Sequence, residues 1–178
     1  MKKLLVITLS LLILNSSLVM AKTKKDQCPR MQHHSATFDQ LKSIVGSWSG
    51  VKDKPDGKKE PVHVRYKTTS GDSAILETLF PGTKMEMTSV YTLQDKKIRM
   101  THYCMMGNQP SLMLDSSTAD TFHFKYVKSP GICSCKDSYM GGLTITLKDK
   151  NHMKEEWVMF EKGKKKQITQ FNLTRDQK

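Results

Sequence analysis

Helical periodicity is almost absent from this chain. Past Gly46 no run holds its apolar residues at a 3.6-residue spacing, and Pro, Gly or Asp-Lys punctuation cuts every apolar stretch short. That excludes helix bundles and alternating strand–helix folds. Long apolar runs are missing as well: Leu4 to Leu14 falls well short of the roughly 20 residues a membrane helix needs. Cysteine is scarce. Cys28, Cys104, Cys133 and Cys135 are the whole set, and Cys133 and Cys135 are separated by one residue rather than two. The pair therefore lacks the Cys-x-x-Cys spacing of a thioredoxin-like centre or a zinc ribbon, and no second pair completes four ligands. No nucleophile is partnered at a readable spacing either. The chain reads as a binding protein and not an enzyme, with a His–Glu acid–base pair the one catalytic arrangement left open.

What is present begins with an address. Lys2 and Lys3, the Leu4–Leu14 run and the small-residue end Val19-Met20-Ala21 have the order of a secretory signal peptide. Residues 1–21 are expected to be cleaved near Ala21, with no Cys after the cut to take a lipid anchor. The expectation is an exported bacterial protein, periplasmic or secreted. Removing this segment takes away two of the 29 basic residues and none of the 17 acidic ones, leaving a formal charge of +10. The lysines cluster in "DGKKE", "QDKK" and "EKGKKK", which read as solvated hairpin tips that discourage edge pairing. An exported chain meets no nucleic acid, so an anionic membrane surface is the charged partner considered. Oligomeric state stays open.

Residues 22–36 read as a flexible lead and 37–178 as one domain. "TFDQ" fits a capping box with Thr37 as N-cap, and Phe38, Leu41, Ile44 and Val45 share a helical face that Gly46 ends. Ten short strands follow: "GSWSGVK", "PVHVRYKTT", "SAILETLF", "KMEMTSVYTL", "KIRMTHYC", "SLMLDS", "DTFHFKYV", "LTITLKD", "HMKEEWVMFEK" and "KQITQFNLTR". A long loop, "KSPGICSCKDSYMGG", precedes the eighth. Val62, Val64 and Tyr66 alternate with His63, Arg65 and Lys67, the two-residue period of a half-buried strand. The fold class is all-β, an antiparallel barrel of about ten strands with a short N-terminal helix.

Gly46-Ser47-Trp48-Ser49-Gly50 after a short helix resembles the Gly-x-Trp opening of the calycin superfamily, which includes lipocalins, fatty-acid-binding proteins and nitrobindins. The resemblance implies a closed barrel end capped by a structural Trp48. "ILETLFPGT", "THYC", "GNQP", "HMKEEW" and "FNLTR" are similar to a family of exported bacterial proteins that implies a shape and no activity. Nitrobindins hold haem through a His near the chain end. The last strand here has none, so the carry-over fails and no cofactor is expected.

Candidate site residues follow from strand alternation. Ile98, Met100, His102 and Cys104 share one face, mostly apolar and so inward. Ile75, Glu77 and Leu79 share another. In "HMKEEWVMF" either register puts a carboxylate among large apolar residues. A buried carboxylate needs a partner or a raised pKa, and an inward His102 facing Glu77 satisfies both. The reading is non-covalent binding of a small, largely apolar molecule in the barrel. Leu79, Met100 and Met159 supply contact area, Glu77, His102 and Glu156 orient a polar end, and Asn108 and Gln109 line the entrance. Copper or zinc binding through His102, Cys104 and methionines is the alternative, and a filled barrel with a structural or partner-binding role is the second. Four cysteines allow three disulfide pairings. With Cys104 inside, Cys28 is expected to staple the lead to Cys133 or Cys135.

Overall fold

The computed structural model describes residues 35–53 and 57–177. The signal segment 1–21, nearly all of the lead and Cys28 lie outside the described residues. Helix α1 (Ala36–Leu41) and one 3-10 turn (Lys42–Ile44) precede ten strands. These are β1 (Gly46–Asp53), β2 (Lys59–Thr69), β3 (Ala74–Leu79), β4 (Met87–Gln94), β5 (Lys97–Tyr103), β6 (Ser111–Ser117), β7 (Thr121–Val127), β8 (Ser138–Leu147), β9 (His152–Glu161) and β10 (Lys164–Arg175). Each strand pairs antiparallel with its neighbour in the chain, and β1 pairs with β10 to close the barrel. This is the all-β, ten-stranded antiparallel barrel expected of the chain. Closure removes both sheet edges, and it needs Gly50: a Cβ there would lie 1.9 Å from the Asn172 carbonyl oxygen on β10.

The up-and-down order sends alternate connections to opposite ends. Helix α1, both barrel termini and the β2–β3, β4–β5, β6–β7 and β8–β9 turns share one end. Phe38, Leu41 and Ile44 are fully buried there with Trp48. The indole Nε1 of Trp48 donates to the Ile44 carbonyl at 2.8 Å, and the Arg175 guanidinium lies 4.1 Å over the indole ring. Arg175 also donates to the carbonyls of Val45, Ser43 and Lys150 at 2.6, 2.8 and 2.8 Å. One cation thus satisfies three backbone acceptors and seals this end. Gln40 reaches the Thr118 and Ala119 carbonyls in the β6–β7 turn. Basic tips fall where "QDKK" and "EKGKKK" placed them, at the two-residue turns Asp95–Lys96 and Lys162–Gly163, all four residues at positive φ.

Three local expectations are corrected. The N-cap is Ser35, whose Oγ accepts from the Phe38 N–H at 3.1 Å. A start at Thr37 would leave barely one turn, and the helix spans only six residues. "KMEM" is not strand throughout: β4 starts at Met87, and the chain before it turns, with Thr83 N–H bonded to Phe80 O and Glu86 N–H to Thr83 O. The loop after β7 is shorter than read, because β8 begins at Ser138 and absorbs "SYMGG" through a bulge at Gly141 between Met140 and Gly142. A side chain at Gly141 would strike the Phe160 ring at 2.5 Å, so the bulge lets two strands of bulky residues pass.

Candidate functional site

Halfway up the barrel, period-2 alternation drives polar groups inward along with apolar ones. Tyr66 follows Val62 and Val64 on the inner face of β2, Glu77 follows Ile75 on β3, Ser89 and Tyr91 face in from β4, and Glu155 lies between Met153 and Trp157 on β9. Both carboxyls are wholly buried, and no Lys or Arg is buried among the described residues. The Tyr66 Oη lies 2.8 Å from Glu77 Oε1 and 2.6 Å from Glu155 Oε1. Tyr91 Oη donates to Glu77 Oε2 at 3.0 Å, and Trp157 Nε1 donates to Glu155 Oε2 at 2.9 Å. Ser89 lies opposite Glu77 on the neighbouring strand, and its Oγ is 3.0 Å from His102 Nδ1.

Counting protons assigns the charges. A phenol has one proton, so Tyr66 can donate to only one of the two carboxyls, and the other contact must be donated by a protonated acid. Glu77 is met by the hydroxyls of Tyr66 and Tyr91, and Glu155 carries the more strongly raised pKa, so Glu77 is the carboxylate and Glu155 the acid. Burial, reinforced by the neighbouring Glu77 charge, lifts the Glu155 pKa to about 8. Burial raises Glu77 too, while its hydroxyl partners pull it back down. Tyr66 and Tyr91 are pushed well above the ordinary phenol value by burial and by the two carboxyls. Desolvation lowers His102 to about 4, so its imidazole is neutral at pH 7.

Above this network, toward the end away from α1, the barrel opens on a cavity of about 230 Å3. Leu79, His102 and Trp157 lie on its wall, each two residues along its strand from a member of the deeper layer, Glu77, Met100 and Glu155. Phe80 and Phe171, packed edge to face with centroids 5.9 Å apart, form part of another wall. Six methionines complete it: Met85, Met87, Met105, Met106, Met140 and Met159. Nine methionines fall among the described residues, so two-thirds of them converge on one cavity. His102 is 1 % exposed, packs on Trp157 with centroids 4.8 Å apart, and has no hydrogen-bond partner at Nε2. Lys52 stands at the mouth, 5.1 Å over the Phe80 ring and 3.3 Å from Glu60.

Of the residues singled out from sequence, the structure brings Leu79, His102 and Met159 together on this cavity, with Cys104 beside them. Glu77 and Met100 are buried one layer deeper and do not line it. Glu77 and His102 do not face each other directly, because Ser89 stands between them. Glu156 is a correction: it points outward, 2.8 Å from Gln170 Nε2 and 3.2 Å from Lys154. The inward carboxyl is its neighbour Glu155, since Met153 and Trp157 take the same face. Asn108 and Gln109 do not line the entrance either. Asn108 Nδ2 is held by the Ser138 carbonyl at 2.8 Å, and Gln109 folds onto the Gly107 carbonyl. The turn closed by Gly107 N–H on Cys104 O presents Met105 and Met106 at the rim instead. Tyr66, Ser89, Tyr91 and Glu155 went unassigned in the sequence although alternation places each on an inner face.

Among the described residues Cys104, Cys133 and Cys135 are free thiols, Cys104 buried and the other two exposed with sulfurs 3.1 Å apart. No group of three His, Cys, Asp or Glu side chains among them could hold a metal ion.

No protein-family model matches this chain, and no curated protein is similar to it in sequence. Among solved structures it is similar to an S-type phycobiliprotein lyase, CPES, from Guillardia theta, at 12 % identity and a TM-score of 0.48, over 84 % of this chain and 99 % of that one.

Proposed function

We propose that this protein binds a small, largely apolar molecule non-covalently in the methionine-walled cavity. The observation that carries the reading is the cavity itself, lined mainly by six methionines, Leu79, Phe80, Trp157 and Phe171, with the buried imidazole of His102 in its wall. Methionine side chains are unbranched and polarizable and adapt to the shape of what they hold. At about 230 Å3 the cavity is just under the roughly 300–1,000 Å3 of ordinary ligand sites, so the occupant is compact or protrudes past Met105 and Met106. Met100, Tyr66, Tyr91 and Phe124 are buried in the core beneath it.

Isothermal titration with octyl methyl ether, an apolar probe without a donor, tests the cavity alone. Binding is expected at micromolar concentration, and Leu79→Trp, which fills the hollow, should abolish it while the far-ultraviolet spectrum stays unchanged. Equal binding by both proteins, or none by either, removes the reading.

Export belongs to the same proposal and is supported by the signal-like order of residues 2–21. Exposed Tyr103, Met105 and Met106, together with the lysines of the β9–β10 turn at that end, favour loading from an anionic membrane surface. Failure to co-sediment with phosphatidylglycerol vesicles at low salt would count against that route. A second reading has its own observation: six thioethers, the Cys104 thiol and a free imidazole nitrogen around one cavity form a soft donor set suited to Cu(I) rather than zinc. Elemental analysis of protein recovered from copper-supplemented cells, before and after blocking Cys104, decides it.

A further inference from the structure

The barrel end away from α1 also carries a reactive pair that the cavity does not use. Cys133 and Cys135 lie in the loop between β7 and β8, both exposed, with their sulfurs 3.1 Å apart. Holding two side chains in contact on a surface loop costs conformational entropy, and here hydrogen bonds fix the backbone beneath them. Asp137 Oδ2 accepts from the Cys133 N–H at 2.6 Å. The Lys136 and Asp137 N–H groups both donate to the Cys133 carbonyl at 2.9 Å, which closes residues 133–137 into a turn. A second hairpin braces that turn. The Lys162 N–H, between β9 and β10, donates to the Asp137 carbonyl at 3.1 Å. Gly163 follows, close enough that a Cβ there would lie 3.7 Å from the Ser134 carbonyl oxygen.

We propose that Cys133 and Cys135 form a thiol–disulfide exchange site whose substrate is an accessible organic disulfide, R–S–S–R. Cys133, as its thiolate, attacks one substrate sulfur. The S–S bond breaks, and the first thiolate leaves and takes up the proton that Cys133 had released. Cys135 then loses its proton and attacks the Cys133 sulfur of the mixed disulfide, and the second thiolate leaves with that proton. Two electrons pass to the substrate, and the products are two R–SH molecules and one Cys133–Cys135 disulfide. Contact with Cys133 raises the Cys135 thiol, which suits Cys135 to the second step. No helix starts at Cys133, so the advantage of the site is proximity rather than a helix-activated thiolate. The ring that forms encloses only Ser134, and a disulfide closing so short a segment is strained and readily reduced. The pair therefore cycles, where a staple from Cys28 would be permanent and would leave one of these thiols alone.

Equilibrating the reduced full chain with mixtures of reduced and oxidised glutathione at pH 7, then trapping free thiols by alkylation and mapping peptides by mass, tests this. The Cys133–Cys135 disulfide is expected to form and to revert as the mixture is made more reducing. Its equilibrium constant should exceed that of a free peptide of residues 132–137 by about tenfold or more, because the fold brings the sulfurs together before reaction. Cys135→Ser should stop at a glutathione adduct on Cys133. Asp137→Ala keeps both thiols and removes only the acceptor of the Cys133 N–H; it should lower the constant by about threefold or more while the thermal midpoint stays unchanged. A constant no larger than that of the peptide, or one that Asp137→Ala leaves as it was, overturns the positioning argued here. Oxidation that joins Cys28 to Cys133 or Cys135, or that leaves glutathione on both thiols without closing the ring, overturns the exchange site itself. None of these results bears on the cavity, whose binding is measured separately.

Discussion

Replacing Glu155 with Gln is the sharpest test of the buried network, because the proton count specifies what the substitution must do. Folding takes Glu155 from 4.5 to about 8, so between those values the folded chain holds a proton the unfolded chain has released. A raised acid pKa makes stability fall as pH rises, at about 1.4 kcal/mol per pH unit. His102 acts in the opposite sense: it drops from 6.5 to about 4, so its contribution is complete above pH 6.5 and is lost as pH falls toward 4. The two slopes cancel between about pH 4.5 and 6.5 and leave a plateau. From pH 6.5 to 8 the His102 contribution is complete, and the Glu155 proton alone should lower stability by about 2 kcal/mol. Tyr66 and Tyr91 titrate above this window. Glu155→Gln is nearly isosteric with the protonated acid: its amide N–H can donate to Tyr66 Oη while its carbonyl still accepts from Trp157 Nε1. The variant should match the parent within about 1 kcal/mol below about pH 4.5, gain on it by about 1.4 kcal/mol per pH unit above that, show no decline from pH 6.5 to 8, and end about 2 kcal/mol ahead of it relative to their difference at pH 6.5. Urea denaturation followed by tryptophan fluorescence at half-unit pH steps reads both curves, and their difference removes most of what the other titrating groups contribute. An unchanged slope in Glu155→Gln, or a variant as damaged at pH 8 as at pH 6, would refute the assignment of the proton to Glu155.

Other outcomes follow from the same geometry. Glu77→Gln should behave oppositely to Glu155→Gln, since its amide would turn a donor toward Tyr66 and Tyr91; a loss of at least about 2 kcal/mol in the same denaturation assay is expected at every pH from 5 to 8. Arg175→Met keeps apolar contact with Trp48 but strands the Val45, Ser43 and Lys150 carbonyls, and should lower stability by about 3 kcal/mol, visible as a reduced midpoint in thermal melts. Exposed Cys133 and Cys135 should be alkylated by a maleimide well before Cys104, whose thiol is buried and raised by desolvation; peptide mass mapping over time checks this, and octyl methyl ether should slow Cys104 further.

Alternation was the legible part of this protein. A period of two in "PVHVRY", "KIRMTH" and "SAILETL" depends only on backbone geometry, so it announced the strands and correctly turned Glu77, Met100 and His102 inward. Asp-Lys and Lys-Gly tips likewise announced the tight turns, because the requirement for positive φ is local. The helix cap was less legible. Ser35 and Thr37 both have hydroxyls at usable positions, and the choice between them was settled by docking the helix onto the barrel end.

The sequence alone determined the class of fold and which side of most strands is buried, since both follow from properties a residue carries into any strand: its volume, its polarity and the two-residue pleat. Only the closed barrel decided which of the adjacent glutamates faces in, which methionines from four separate segments meet at one mouth, and that Asn108 is used to tie a turn to β8 rather than to greet a ligand. These depend on strand register across the barrel and on turns that fold back, and residues such as Tyr66 and Glu155, 89 positions apart, share a proton only once the sheet has closed on itself.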